Sequence, residues 1–196
     1  MSTKDHQSEP IESASETLQR IFDGHGSVLG SQMADESSRY DVLKKTDFPK
    51  PQRTRRIAVA NQKGGVGKTT STVNTAAALA NKGAQVLVID MDPQGNASTA
   101  LGVSHASGEP SVYDVIEGRS DLGDVITVCP DFPTLDVVPA SIDLSGAELE
   151  VADLPNRNTL LKEALDLYLR QSDKHYDYVF IDCPPSLGLL VINAMC

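Results

Sequence analysis

The sequence predicts an α/β fold, in which a mostly parallel, doubly wound sheet carries helices on both faces. Three short runs of consecutive apolar residues indicate core strands, at 57–60, 86–89 and 178–181. Strands that are apolar at every position are buried on both sides, as in parallel sheets covered by helices. Segments with apolar residues at helical spacing separate these runs, and this alternation is typical of βα units.

The first of these strands leads through a glycine-rich loop into a helix predicted at 69–81. Gly83 ends this helix, because glycine commonly terminates helices. The second strand ends at Asp90 and the third at Asp182, and we expect all three strands to be buried. The remaining predicted elements are helices at 111–117, 144–151, 159–169 and 187–196 and a strand at 135–138.

Composition divides the chain into two parts. Residues 1–52 are rich in Ser, Glu, Asp and Gln, which predicts a disordered or weakly ordered N-terminal extension. Within it, residues 15–22 have helical spacing, which indicates a transient helix or, as the alternative, a docking motif. Residues 53–196 form one α/β domain. Its final helix has no glycine or proline stop, so we expect the domain to be incomplete at its C-terminal end.

Charge and cysteine content exclude several classes of function. Seventeen basic and 27 acidic residues give a net charge of −10, which excludes a general electrostatic attraction to DNA. Cys129, Cys183 and Cys196 have no paired spacing, which argues against a disulfide framework and against a metal or cluster site. No apolar run approaches the ~18 residues of a membrane span, so we expect a cytoplasmic protein.

Residues 63–70 carry the strongest functional signal. They read Lys-Gly-Gly-Val-Gly-Lys-Thr-Thr and stand between a strand and a helix, the context of a phosphate-binding P-loop. Glycines bring backbone N–H groups close to an anion, and the helix N-terminus adds partial positive charge. Lys68 is expected to reach the β and γ phosphates and Thr69 to hold Mg²⁺, so the loop predicts a nucleotide site with Mg²⁺. The predicted phosphate-binding residues are Lys63, Gly64, Gly65, Val66, Gly67, Lys68, Thr69 and Thr70.

An unusual second lysine stands at the start of this loop. An ordinary P-loop has a glycine, four intervening residues and then the Gly-Lys pair, but here the position of that first glycine is Gln62 and the next residue is Lys63. An additional lysine in a cationic loop costs repulsion unless it serves an anion. The alternative is a solvated loop lysine. We predict that Lys63, Lys68 and Asp92 are the catalytic residues.

Two acidic residues are predicted to lie beside the loop. Asp90 and Asp182 each follow an apolar strand, and the carboxyl ends of parallel strands meet at the ligand-binding edge of a sheet. Asp182 fits the Walker B role, and the predicted metal ligands are Thr69, Asp90 and Asp182. Asp92 lies two residues further on, where a carboxylate can orient the attacking water or accept its proton. The four histidines show no ligand spacing and are assigned no role.

Four segments in order carry a family resemblance: Asn61–Thr70, Asp90–Asn96, Val138-Pro-Ala-Ser141 followed by Glu148, and Phe180–Ser186. Together they resemble the ParA (Soj) chromosome and plasmid partitioning ATPases of the ParA/MinD family, which have a deviant Walker A P-loop. The resemblance covers residues 55–196. MinD and the iron–sulfur carrier ATPases share the first segment but differ at the second, and the carriers use a paired-cysteine motif that this chain lacks.

The resemblance implies an ATPase switch that forms a homodimer on ATP binding. Lys63 would reach the partner's phosphates, with Gly64 at the dimer seam, and a ParB-type centromere-binding protein would stimulate hydrolysis of ATP to ADP and phosphate. The family binds DNA without sequence preference and associates with the nucleoid, largely through its C-terminal part, so we expect weak DNA binding by this chain. The alternatives are a MinD-like positioning ATPase and a non-hydrolysing ATP-binding regulatory module.

Overall fold

The computed structural model describes residues 28–46 and 48–196. The chain divides into two compact units, residues 1–48 and residues 49–196. In the first unit the described part is helix α1, Val28–Lys45, which the sequence analysis did not predict because polar residues interrupt its apolar positions. The helix predicted at 15–22 lies outside the described residues. The division at residue 52, with a weakly ordered extension before it, stays a prediction.

The second unit contains a five-stranded sheet. Its strands are β1 (Arg55–Val59), β2 (Val86–Asp90), β3 (Thr127–Val128), β4 (Leu135–Val138) and β5 (Tyr178–Asp182). Their order across the sheet is β1-β5-β2-β4-β3. All neighbouring pairs are parallel except β3 and β4, which run antiparallel. The predicted α/β class with a mostly parallel sheet is confirmed.

Helices connect these strands, and a last helix follows β5. They are α2 (Lys68–Asn81), α3 (Asn96–Ala100), α4 (Val112–Ile116), α5 (Leu144–Glu150), α6 (Leu160–Gln171) and α7 (Leu189–Met195), with a 3₁₀ helix at Leu122–Val125. All except α3 and the 3₁₀ helix were predicted to within about two residues, which is the usual uncertainty of helix ends. In the described part of the chain, no helix combines the length and the apolar character that crossing a membrane requires.

The core lies on both faces of the sheet. Side chains alternate between the two faces of a strand. Leu87 and Ile89 of β2 therefore join a cluster with buried residues of α4, α5, α6 and α7. Val86 and Val88 pack on the opposite face, in a cluster that includes Ala76 of α2. The sheet is thus covered on both sides, as the uninterrupted apolar strands predicted.

The first strand differs from its prediction. We expected a buried strand at 57–60, but β1 spans Arg55–Val59 and is mostly exposed, with 38% of Ile57 accessible. The reason is its place in the sheet: among the described residues β1 pairs with β5 alone, whereas β2 and β5 each have a strand on both sides. The prediction of a buried first strand is therefore wrong.

Candidate nucleotide-binding site

The loop between β1 and α2 presents the start of a helix to solvent. Gly67, directly before α2, has φ +85°, a left-handed conformation that glycine adopts at little cost. The first backbone hydrogen bond of the helix runs from Ser71 N to Gly67 O, at 2.8 Å. No side chain caps the helix N-terminus. The N–H groups of the first turn are therefore available to an anion, and the helix dipole favours negative charge at this point.

A cavity of about 530 Å³ opens over this loop. Three chain segments that are distant in sequence form its wall: the 64–70 segment, the loop after β2 and the loop after β5. Its lining residues are Gly64, Gly65, Gly67, Lys68, Thr69, Thr70, Asp92, Gln94, Asn96 and Pro185. Six of the eight predicted phosphate-binding residues therefore line the cavity, and Lys63 and Val66 do not.

The two loop lysines lie in different surroundings. Lys68 Nζ donates to the backbone oxygen of Lys63 at 3.4 Å, so its ammonium group folds back over the loop. Lys63 is exposed, and its backbone N–H donates to Asn61 Oδ1 at 2.9 Å. Among the described residues the Lys63 ammonium group makes no ion pair. Lys68 is thus placed to contact an anion in the cavity of its own chain, whereas Lys63 does not line that cavity.

Thr69, which lines the cavity, makes a direct contact with Asp182, which is fully buried and does not line it. Thr69 Oγ1 donates to Asp182 Oδ2 at 2.7 Å, and Thr72 Oγ1 donates to Asp182 Oδ1 at 3.2 Å. Burial raises the pKa of Asp182, and the two threonine hydrogen bonds act in the opposite direction. Hydroxyl and carboxylate oxygens suit Mg²⁺, which is usually held by one or two protein groups, substrate phosphates and water. The described residues contain no group of three or more His, Cys, Asp or Glu side chains that could hold a metal. A Mg²⁺ site of the phosphate-assisted kind therefore fits these residues.

Asp90 lies directly across from Asp182 in the pairing of β2 with β5, as predicted, but its carboxylate is fully buried and does not line the cavity. Its Oδ2 accepts from Ser98 N and Ser98 Oγ, both at 2.8 Å, and its Oδ1 accepts from Asp92 N at 3.1 Å. Burial raises the pKa of Asp90 to about 6, against the opposing effect of these hydrogen bonds. The side chain holds the start of α3, and its predicted role in metal binding stays a prediction.

Asp92 stands at the cavity wall. It is 8% exposed, its Oδ1 accepts from Gln94 N at 3.0 Å, and its carbonyl accepts from Gly95 N at 2.8 Å. The turn from residue 92 to 95 therefore holds the carboxylate in one place. This position is compatible with the predicted role of Asp92 in orienting a water, which stays a prediction.

Cys183 is fully buried next to Asp182. Burial raises the pKa of its thiol to about 12, and the neighbouring Asp182 carboxylate acts in the same direction. A thiol in these surroundings stays neutral and is a poor nucleophile. Cys183 thus packs as a small buried residue.

Two residues at this site were not found by the sequence analysis. Ser98 Oγ accepts from Ala140 N at 3.2 Å in addition to its bond with Asp90, so it joins the loop after β2 to the 138–141 segment. His105 packs against Gly95 in the turn that follows Asp92. Neither contact has a local sequence signal, because the partners lie 8 to 42 positions apart and meet only in the folded chain.

A glycine loop between the first strand of a parallel sheet and an uncapped helix, with a Thr–Asp pair at its base, defines a P-loop nucleotide-binding domain. The chain belongs to the AAA domain family, whose model matches residues 54–196. Within this class it is of the ParA/Soj type, as the sequence predicted.

Two curated relatives support the assignment to the ParA/Soj type. Over 139 residues the chain is 50% identical to the sporulation initiation inhibitor protein Soj of Bacillus subtilis, a match that covers 71% of this chain and 53% of the relative. It is 48% identical over 139 residues to the chromosome partitioning protein ParA of Caulobacter vibrioides, covering 71% of this chain and 51% of the relative. The chain thus spans about half the length of the curated relatives it matches.

A solved structure supports the fold. Cobyrinic acid a,c-diamide synthase from Mycobacterium smegmatis, determined with a bound ATP analog and magnesium, superposes with a TM-score of 0.65 at 41% identity. The match covers 72% of this chain and 55% of that one.

Proposed function

We propose that this chain provides the nucleotide-binding part of a ParA-type ATPase switch that acts in chromosome or plasmid segregation. The contact between Thr69 and Asp182 carries the proposal, because it joins a hydroxyl that lines the cavity to a carboxylate, and oxygens of both kinds suit Mg²⁺. The cavity opens over a glycine loop and an uncapped helix N-terminus, which suit phosphate. The names of the Caulobacter and Bacillus relatives support the cellular role. In this proposal residues 53–196 are the ATPase domain and ATP with Mg²⁺ is the ligand.

Each residue has one task in the proposed reaction. Backbone N–H groups of the 64–70 segment and the Lys68 ammonium group bind the β and γ phosphates, while Thr69 and Asp182 hold the cation. Bound Mg²⁺ would neutralise charge on the phosphate oxygens. Asp92 orients a water toward the γ phosphorus and accepts its hydrogen bond. The water oxygen forms the new bond to the γ phosphorus as the bond from that phosphorus to the bridging oxygen of the β phosphate breaks. The water passes one proton to Asp92, which releases it to solvent, and ADP and phosphate leave.

The exposed Lys63 supports the proposed homodimer. Its side chain lies outside the cavity of its own chain and makes no ion pair among the described residues, so it is available to the phosphates of a second copy. In this proposal ATP closes two copies face to face and a ParB-type protein stimulates hydrolysis. The whole protein acts in the cytoplasm on the nucleoid, with DNA as its non-specific support.

Two other functions use the same nucleotide site. A MinD-like positioning ATPase shares the loop of residues 63–70, and a regulatory module would bind ATP without hydrolysing it. Residues 90–96 favour the partition assignment over the first, and Asp92 at the cavity wall favours hydrolysis over the second. The synthase activity in the name of the Mycobacterium smegmatis protein is not proposed for this chain. Its identity to this chain is 41%, whereas that of the Bacillus and Caulobacter proteins is 48–50%.

Sedimentation velocity of an Asp92→Ala variant tests the proposal. We expect a dimer with Mg-ATP and a monomer with Mg-ADP, because a variant that binds but does not hydrolyse ATP accumulates in the closed state. Adding Lys63→Ala should abolish the dimer, whereas adding Lys162→Ala, which removes an exposed lysine on α6, should leave it intact. Phosphate release by the unmodified chain should exceed that of Asp92→Ala by about 100-fold or more.

Each outcome has a clear meaning. A monomer under all conditions would refute the dimer, and ATP binding without any phosphate release would favour the regulatory module. Loss of the dimer in the Lys162→Ala control would show that the effect is not specific to Lys63.

A further inference from the structure

The imidazole ring of His105 lies directly on the backbone of Gly95. A Cβ atom placed on Gly95 would stand 2.4 Å from His105 Nδ1 and 2.6 Å from Cε1, distances at which no side chain fits. His105 Nε2 also shares a hydrogen bond with Thr99 Oγ1 at 2.8 Å, in which either group can be the donor. The ring therefore covers Gly95 and is tethered to α3 at the same time.

Gly95 belongs to the turn that sets the position of Asp92. Gly95 N donates to the carbonyl of Asp92 at 2.8 Å, and its own carbonyl accepts from Thr99 N at 2.9 Å. Its φ of +62° lies in the left-handed region, which glycine adopts at little cost. Because glycine has no Cβ atom, its backbone can also change to other conformations readily. The His105 ring adds a contact from outside the turn that restricts the conformation of Gly95.

Polar contacts on both sides hold the loop that carries His105. Glu109 Oε2 accepts from Ser104 Oγ at 2.5 Å and from Ala106 N at 3.1 Å, which closes residues 104–109 on themselves. These bonds lower the pKa of Glu109, so its carboxylate stays charged and keeps both donors.

Asp143 attaches the same loop to the segment after β4. Its Oδ2 accepts from Ser107 Oγ at 3.0 Å, from Gly108 N at 3.3 Å and from Ser141 Oγ at 2.8 Å. The pKa of Asp143 is lowered by these hydroxyl and backbone donors. His105 thus contacts Gly95 from a loop, residues 104–109, whose hydrogen bonds to Glu109 and Asp143 do not involve residues 63–70.

We propose that His105 is a positioning residue for Asp92. By covering Gly95 and bonding to Thr99, its ring keeps the turn at residues 92–95 in the conformation that presents the Asp92 carboxylate to the cavity. His105 touches no nucleotide in this scheme and acts only through the turn. The inference deepens the proposed function and rests on it for the role of Asp92, but the contact itself can be tested without nucleotide.

Hydrogen exchange of the nucleotide-free chain is the first measurement. In His105→Ala, the amides of Gln94 and Gly95 should exchange about tenfold faster, because their acceptors on Asp92 are no longer held in place. His105→Phe keeps a ring over Gly95 without the bond to Thr99, and we expect it to recover most of the protection. His175→Ala removes an exposed histidine elsewhere and should change nothing.

ATP turnover by the same variants is the second measurement. His105→Ala should lower kcat about tenfold or more and leave KM within about twofold, since misplacing a catalytic group slows the reaction without weakening phosphate binding. His105→Phe should recover kcat to within about threefold.

Unchanged exchange in His105→Ala would overturn the proposal, and so would a rise in KM with kcat constant. If the unmodified chain released no phosphate, the proposed function would fail, whereas the exchange rates would still decide whether His105 holds the turn.

Discussion

The contact of Thr69 with Asp182 is the single interaction on which the site depends most. The hydroxyl donates to the carboxylate at 2.7 Å, and both groups offer oxygen to a cation. We expect Thr69→Ala to weaken the binding of ATP in the presence of Mg²⁺ by about 10-fold to 100-fold, because the cation loses one ligand. Binding in EDTA should change little. Fluorescence titration with a labelled ATP analog, with and without Mg²⁺, measures both.

Thr75→Ala provides the matched control for this prediction. Thr75 lies on the same helix, α2, but is exposed and does not line the cavity. The control variant should bind as the unmodified chain does. An equal loss of affinity in Thr69→Ala with and without Mg²⁺ would contradict a role of Thr69 at the cation.

The proximity of Thr69 and Asp182 could be predicted from the sequence. Thr69 stands at the start of the helix that follows the first strand and its glycine loop, and Asp182 ends a strongly apolar strand. Parallel strands bring their carboxyl ends to a common edge, so this proximity follows from topology. The contact of His105 with Gly95 could not be predicted in the same way. It depends on how an irregular loop packs, and no periodicity or motif encodes that packing.

Asn193 connects two helices that follow different strands. Its Oδ1 accepts from Leu161 N at the start of α6, and its Nδ2 donates to the carbonyls of Arg157 and Leu189, at 3.1, 2.6 and 3.1 Å respectively. It is only 2% exposed, so removing the amide leaves buried backbone groups without partners. Asn193→Ala should therefore lower the free energy of unfolding by about 2–4 kcal/mol.

Urea denaturation measures this change as a lower midpoint with an unchanged m-value. Ile192→Ala is the control, since Ile192 is the preceding residue of α7 and is 41% exposed. Its midpoint should fall much less than that of Asn193→Ala. Similar losses in the two variants would mean that the helix itself, and not the hydrogen bonds of Asn193, determines the difference.

Elements differ in how well the sequence predicts them, and the reason is their length and their neighbours. Helices α2 and α6, at 14 and 12 residues, have enough turns to show an apolar pattern. The two-residue β3 is too short for any pattern, and the only apolar residues of α3 are alanines. Helix α4 has the same length as α3 but carries Val112, Val115 and Ile116 at helical spacing, so it could be predicted. The exposure of β1 was missed because an apolar run shows that a strand exists but not how many strands flank it.

The charge of the whole chain determines how it should behave toward DNA. Non-specific DNA binding depends on several Lys or Arg contacts with phosphates, whereas this chain carries a net charge of −10. Its local basic cluster, Arg53, Arg55 and Arg56, is also partly neutralised, because Arg56 Nη2 pairs with Asp166 Oδ1 at 2.6 Å. We therefore expect weak or no DNA binding by these 196 residues, even in the ATP-bound dimer.

A mobility-shift assay of the Asp92→Ala variant with Mg-ATP at low salt checks this expectation, because low salt strengthens every phosphate contact and is the most favourable condition for a shift. Mg-ADP serves as the control for the nucleotide state. A tight shift that appears only with ATP and weakens steeply with salt would contradict the prediction. The DNA-contacting surface would then have to include the 53–56 cluster, and Arg53→Ala together with Arg55→Ala should abolish the shift while leaving the ATP-dependent dimer intact.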